Sequence, residues 1–290
     1  MTGTWKGLQA QEVDAGGLVA LVVPELGGKI VSLHTDDGAE LLVNRDLTAD
    51  RPAPGARFVD VAMGGWDECV PTIDECLTSD GVVLPDHGEA WRLPWEDEGE
   101  GWYGYSGRVA PYEFSRRVWG HEGRLRFDYL ARATGHSDVA MLWAAHPQFA
   151  APRGTRVHLA ATVSYVVDVL AEPPRRRPWP VGGMGIDDVP MPGSGQLGCC
   201  KVYVEPDSPV DRAAVVRPDG LSIQMSWEPR LTPYLGIWME RGVFASEPVV
   251  AVEPTTGFYD SCSFAAARGQ LTVLEPGEEL TWYVDLEVHQ

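Results

Sequence analysis

Leu280-Thr281-Trp282-Tyr283-Val284-Asp285-Leu286-Glu287-Val288 decides the fold. In an extended chain Leu280, Trp282, Val284, Leu286 and Val288 share one face and Thr281, Tyr283, Asp285 and Glu287 the other, the period of a strand with one buried side. Leu125, Phe127 and Tyr129 repeat the pattern between Arg124, Arg126 and Asp128. Working outward, the same reading predicts strands over 18–23, 29–34, 41–44, 108–119, 139–145, 156–169, 201–204, 213–216, 221–227, 234–240, 248–253 and 271–274. No window holds a 3.6-residue period for three turns, and 32 glycines and 23 prolines punctuate the chain. The expectation is all-β, a large antiparallel β-sandwich forming one domain over 1–290.

Three stretches resist a strand reading. The 45–78 segment is loop-rich around Met63-Gly64-Gly65-Trp66-Asp67-Glu68-Cys69, and 172–198 is dominated by Pro and Gly with a basic Arg175-Arg176-Arg177 step. A structureless excursion of that length in a compact domain is a lid, a binding loop or a tolerated insertion. The acidic run Trp95-Glu96-Asp97-Glu98-Gly99-Glu100 reads as a solvated loop, because charges so dense repel one another when buried.

Bulk properties narrow the partners. Lys and Arg total 23 against 42 Asp and Glu, a net charge of −19 that repels nucleic acid and anionic membrane surfaces and leaves neutral small molecules unaffected. No stretch reaches the roughly 18 apolar residues of a membrane span, and the first residues lack a basic segment followed by an apolar one, so the cytoplasm is the expected location. Five cysteines (Cys69, Cys76, Cys199, Cys200, Cys262), an odd number without CxxC spacing, read as reduced structural thiols.

Three islands carry the chemistry: Pro85-Asp86-His87-Gly88, Ala145-His146-Pro147-Gln148-Phe149 and Val252-Glu253-Pro254-Thr255-Thr256-Gly257. Glu253 closes the apolar strand Val249-Val250-Ala251-Val252 before a proline and is expected to emerge at a sheet end, where partial burial raises a carboxylate and a donor lowers it again. His146 follows a strand in the same way, and an imidazole exchanges protons near neutral pH. Gln148, two residues on, shares its face and could bind a sugar hydroxyl. His87 sits in a turn where Asp86 could orient it and Gly88 allows close approach of a ligand. Trp66, Trp91, Trp95, Trp143 and Trp238 belong to a set of eleven, of which one or two are expected to stack on a pyranose and the rest to fill the core.

Other chemistries fit less well. His87, His146 and Glu253 lack the local HxH or HxxxH spacing of a metal site, so no metal is expected. Asp67 and Glu68 with Glu253 could form the carboxylate pair of a glycoside hydrolase, which leaves two histidines without a task. There is no GxSxG elbow.

Together the islands resemble the aldose 1-epimerase, or galactose mutarotase-like, family. Leu84-Pro85-Asp86-His87-Gly88-Glu89-Ala90-Trp91 with Pro94-Trp95 is similar to that family's HG motif, Ala145-His146-Pro147-Gln148-Phe149 to its HPYF motif, and Val252-Glu253-Pro254 to its catalytic glutamate motif. Gly64-Gly65-Trp66-Asp67-Glu68-Cys69-Val70-Pro71 looks like the segment before the first histidine. The resemblance implies a supersandwich fold and cofactor-free interconversion of the α and β anomers of a free aldose. Glu253 would be the base on the anomeric hydroxyl and His146 the acid on the ring oxygen. His87, Asp86, Gln148, Arg92, Trp66, Asp67 and Trp238 would bind substrate. The expected partner is one small sugar, with the protein a monomer or homodimer. A non-catalytic carbohydrate-binding protein, or a hydrolase or lyase using the same groove, stands as the alternative, because one fold hosts many functions. The sequence departs from the family at Gln148, where a tyrosine is expected, and at Arg92, displaced from its usual distance behind the first histidine.

Overall fold

The computed structural model describes residues 1–53, 55–61, 63–193 and 195–290. Two large antiparallel sheets dominate it, one of twelve strands and one of nine. The Glu279–His289 strand lies inside the nine-stranded sheet between Ser222–Trp227 and Arg124–Ala133, so the most regular alternation in the sequence belongs to a strand paired on both edges. Its apolar side turns inward with Trp282 stacked on Tyr129, and Trp66 from the twelve-stranded sheet stacks on Phe127 of the nine-stranded one. The largest apolar cluster is built from both sheets in this way. At about 25 cal/mol per Å² of buried apolar surface, this interlocked aromatic layer is the main force holding the sheets together.

The sequence-predicted strands are recovered with instructive differences. The 18–23 and 234–240 strands have the expected bounds. The 139–145 stretch divides, because Val139–Met141 pairs with Thr272–Leu274 while Ala144–Pro147 joins the twelve-stranded sheet. The 156–169 stretch also divides. A turn closed by Val163 N–H on Ala160 O sends Arg156–Leu159 into one sheet and Tyr165–Asp168 into the other. Residues 41–44 form no ladder and contribute a single bridge from Leu42 to Phe149.

The loop assignments need correction. Glu96–Gly99 is an exposed edge strand rather than a loop, its carboxylates lying along the free edge where like charge discourages pairing with another chain. The 172–198 excursion contains the edge strand Arg175–Pro178, the short strand Met184–Gly185 and a 3₁₀ turn. Within 45–78 lies Trp66–Cys69, a central strand buried at every position. A hairpin of Thr2–Trp5 and Leu8–Asp14, and the strand Trp102–Ser106, were not foreseen from periodicity. Among the described residues one α-helix occurs, Cys262–Ala266, capped by the Ser261 hydroxyl. No helix among them is long and apolar enough to cross a membrane, and all five cysteines are free.

Candidate functional site

Strand register builds the site. In the twelve-stranded sheet the neighbours run Trp66–Cys69, Ala144–Pro147, Val249–Thr255, Tyr234–Glu240 and Cys199–Val204. Antiparallel pairing sets Asp67 opposite His146, Glu253 opposite Gly236, and Gly236 opposite Tyr203. Carrying the Ala144–Thr255 pairing two residues further sets His146 opposite Glu253. Asp67, His146, Glu253, Gly236 and Tyr203 therefore form one row across five strands, on one face of the sheet. Glu68 and Trp66, one residue to either side of Asp67, face the sandwich interior instead.

Along that row the side chains make a chain of charges. His146 Nδ1 lies 2.9 Å from Glu253 Oε1, and Lys201, two residues before Tyr203 on the same face, donates from Nζ to Glu253 Oε2. The Lys201 ammonium is also 3.4 Å from Asp260 Oδ1, which accepts a 2.6 Å hydrogen bond from the Tyr203 hydroxyl. Gly236 makes this convergence feasible. A Cβ there would stand 3.1 Å from both Glu253 Oε2 and Tyr203 Cζ.

Glu253 departs from the sequence expectation. It lies inside its strand rather than at its end, and it is fully buried. Burial alone would raise its carboxyl, but the Lys201 charge and the His146 hydrogen bond outweigh burial and hold it down at about 2. Burial likewise opposes the charge on Lys201, yet Asp260 and Glu253 together raise its proton affinity above that of an ordinary lysine. Both Glu253 oxygens are engaged, so the unpaired polar atom of the pair is His146 Nε2, buried without a hydrogen-bond partner among the described residues.

A cavity of about 190 Å³ opens beside this row, with His146, Lys201, Asp260, His87 and Asp74 among its lining residues. The imidazoles of His87 and His146 stand edge to face with centroids 5.7 Å apart. Phe58 stacks on His87 at 4.1 Å and meets His146 edge-on at 5.6 Å. His87 has a left-handed backbone, and its Nδ1 lies 2.9 Å from Asp86 Oδ1. Burial works against the Asp86 carboxylate, but the His87 bond and charge hold its pKa below the usual value. Gly88 serves the chain itself: a Cβ there would fall 1.9 Å from the Val70 carbonyl, so the close approach expected for a ligand is made by backbone.

The structure brings His146, Glu253, His87, Asp86 and Trp238 to this region, sets Asp67 beside His146 in the row, and leaves the other named residues away from the cavity. Trp238 lines the cavity, whereas Trp66 is sealed in the core, where the alternation of its strand turns it inward. Asp67 is buried across from His146 and neutralised by Lys29 Nζ at 2.6 Å. Gln148 is buried with both amide atoms unpaired and, among the described residues, does not line the cavity. Arg92 lies over the Trp91 ring and reaches the Ala56 carbonyl, away from the cavity. Sequence reasoning missed Lys201, Asp260, Asp74 and Phe58. One signal was visible, a lysine on the alternation of the otherwise apolar Lys201-Val202-Tyr203-Val204. Among the described residues no group of three or more His, Cys, Asp or Glu side chains is arranged to hold a metal ion.

Comparison with solved structures matches the whole architecture. A protein from Synechocystis sp. PCC 6803 superposes with a TM-score of 0.76 at 17% identity, covering 99% of this chain and 98% of its own. A galactose mutarotase-like protein from Lactobacillus casei gives 0.69 at 16% identity, covering 97% and 100%. This is the galactose mutarotase-like fold. A galactose mutarotase related enzyme from Lactobacillus acidophilus has the same fold, with a TM-score of 0.69 at 13% identity over 97% of each chain. Further matches carry provisional aldose 1-epimerase or mutarotase names. No family model and no curated relative matches the sequence, so at these identities the likeness establishes the galactose mutarotase-like fold and leaves activity to the site.

Proposed function

We propose that this protein is an aldose 1-epimerase-like isomerase, interconverting the anomers of a free sugar by acid–base catalysed ring opening. The observation that carries this reading is the His146–Glu253 pair, hydrogen-bonded at 2.9 Å, whose imidazole lines a cavity together with a second imidazole, His87. Ring opening needs one proton lifted from the anomeric hydroxyl and one set on the ring oxygen as the bond from C1 to that oxygen breaks. Rotation about C1–C2 and closure with the protons returned gives the other anomer. Both oxygens sit on C1, so two proton-transfer groups within a few ångströms of one carbon suffice.

Glu253 acts in this scheme through His146. With Lys201 holding it ionised, it fixes the imidazole by Nδ1, leaving Nε2 to exchange a proton with the sugar. His87, anchored by Asp86, serves the second oxygen: one imidazole takes the anomeric proton while the other gives one to the ring oxygen, and the two transfers reverse at closure. The scheme asks nothing of a cofactor, treats the whole chain as one unit acting alone or as a homodimer, and takes a neutral monosaccharide as partner, in keeping with the net charge of −19. The free thiols fit a reducing compartment, and we read the cytoplasm as its place.

Exchange NMR on equilibrating glucose and galactose tests the reading. Wild-type protein is expected to accelerate anomer exchange, and His146→Gln to lower kcat by ~10²- to 10⁴-fold, the usual contribution of a positioned acid–base group. Saturable sugar binding without acceleration would make the protein a carbohydrate-binding protein instead. Product released from an oligosaccharide or uronide would make it a hydrolase or lyase.

A further inference from the structure

The cavity lining mixes two kinds of side chain. Polar ones are His146, Lys201, Asp260, His87 and Asp74; apolar ones include Phe58, Val59, Met63, Leu170, Trp238 and Phe244, with Trp238 directly across from Lys201 on the neighbouring strand. These come from separate stretches of chain, and three are large apolar side chains left open: Val59 is 39% exposed, Leu170 41% and Phe244 41%. Phe244 is held in place by Trp238, with ring centroids 5.9 Å apart. Keeping such groups in water around one opening is unfavourable in the free protein, and an apolar surface entering the cavity would relieve it.

The polar lining residues add a charge constraint. Among the described lining residues the one permanent cation is Lys201, already committed to Glu253 and Asp260. Asp74 lines the same space, its carboxyl pushed up to about 6 by burial and by the nearby Asp260 charge. A second anion would meet carboxylates with no free cation to pair with, and an arginine fork suited to phosphate is missing from the described lining. His146 lines the cavity and its Nε2 is buried without a hydrogen-bond partner among the described residues, a partner that a ligand hydroxyl reaching it would supply.

From this mixed lining we infer that the ligand is an uncharged monosaccharide with one apolar edge, a deoxy or alkyl-substituted aldose. Its hydroxyl-bearing edge meets His146, His87, Lys201 and Asp260, and its apolar edge meets Leu170, Phe244 and Trp238. A fully hydroxylated hexose would set a hydroxyl against these apolar side chains, where it loses water and gains no partner. The inference rests on the reading that free aldoses use this site, and it names the class of aldose.

The test uses matched pairs: glucose with 6-deoxyglucose, galactose with 6-deoxygalactose, mannose with 6-deoxymannose, and glucose 6-phosphate as the anionic member. Exchange NMR gives kcat/KM for each, and calorimetry gives affinity independently of turnover. The 6-deoxy member of at least one pair is expected to be favoured about tenfold or more, the low end of what a group of that size is worth in an apolar pocket. Glucose 6-phosphate is expected to be the poorest. Leu170→Asn, an exposed position, should erase the preference without shifting the thermal midpoint. Parity within every pair, or a preference for the phosphate, overturns the inference and leaves anomer exchange standing. If no sugar is turned over, preferential calorimetric binding of the 6-deoxy members still supports it, and equal or absent binding overturns it. A change in sedimentation on Leu170→Asn would assign the apolar rim to contact between copies and overturn it as well.

Discussion

Glu68 and Glu253 are both fully buried carboxylates in the twelve-stranded sheet, and they behave as opposites. Glu68 points between the sheets, where Oε1 accepts from Arg116 Nη1 at 2.7 Å and the Tyr129 hydroxyl at 3.2 Å, and Oε2 from Trp143 Nε1 at 2.8 Å. Burial pushes its carboxyl up to about 7, against the pull of Arg116 and the other donors. Glu253 points to the other side, and its partners Lys201 and His146 hold it at about 2 despite burial. The partners of Glu68 end in packed aromatic core, while one partner of Glu253, His146, lines a cavity and retains an unpaired nitrogen. A buried carboxylate whose partners are all satisfied ties elements together. One whose partner still has a hydrogen bond to make is placed for chemistry.

The comparison can be broken first on the structural side. Arg116→Met removes the cation of Glu68 and also the donor to the Gly28 carbonyl, leaving a charge buried among Tyr129 and Trp143. The expected cost is ~3–5 kcal/mol in urea unfolding, the range for breaking a buried pair from one side. Adding Glu68→Leu should recover much of it, since an apolar replacement of the whole pair removes the stranded charge. A single variant within 1 kcal/mol of wild type would mean that Glu68 is protonated and the pair contributes little.

Acid titration of stability sharpens the same contrast, because the two carboxyls carry opposite signs. Glu253 is lowered in the folded protein, so its contribution is present above the unfolded value near 4.3 and is lost as pH falls from there toward about 2. Glu68 is raised, so its contribution is present below the unfolded value and is lost as pH rises through about 7. Each shift corresponds to roughly 3 kcal/mol at most. Unfolding free energies of Glu253→Gln between pH 2 and 5 should be flatter than wild type, and those of Glu68→Gln flatter between pH 4 and 7. Superimposable slopes for all three proteins would show that neither carboxyl titrates as its surroundings dictate.

Much of this was legible in the sequence, for a physical reason. Alternation reports which side of a strand is buried, and the strands Glu279–His289, Tyr234–Glu240 and Leu18–Val23 were visible because one face of each is apolar. The same signal fails where burial is two-sided: Trp66–Cys69 carries Asp67 and Glu68 in the middle of a sheet and reads as loop. It also fails where a strand changes partners, as at Leu142-Trp143 between Met141 and Ala144. His87, His146 and Glu253 could be named from their short motifs. Their arrangement could not, because whether Glu253 meets solvent or Lys201 depends on register across five strands. Trp66 shows the limit from the other side, since a tryptophan on a ligand and a tryptophan on Phe127 look alike in sequence.

Gly236 supplies the finest test, since it separates the charged row from a simple list of polar residues. It pairs with Glu253 on one side and Tyr203 on the other, and the missing side chain is what lets Lys201 reach across to the carboxylate. Gly236→Ala places a methyl 3.1 Å from Glu253 Oε2 and from the Tyr203 ring, closer than carbon normally approaches. Overpacking of this kind costs ~1–3 kcal/mol. If the row is the working part of the protein, anomer exchange should fall by more than the loss of folded protein accounts for, because the displaced Glu253 no longer fixes His146. A variant that loses stability and activity in equal proportion would mean that the row holds the sheet together as the Glu68 cluster does, and the distinction between the two buried carboxylates would not survive.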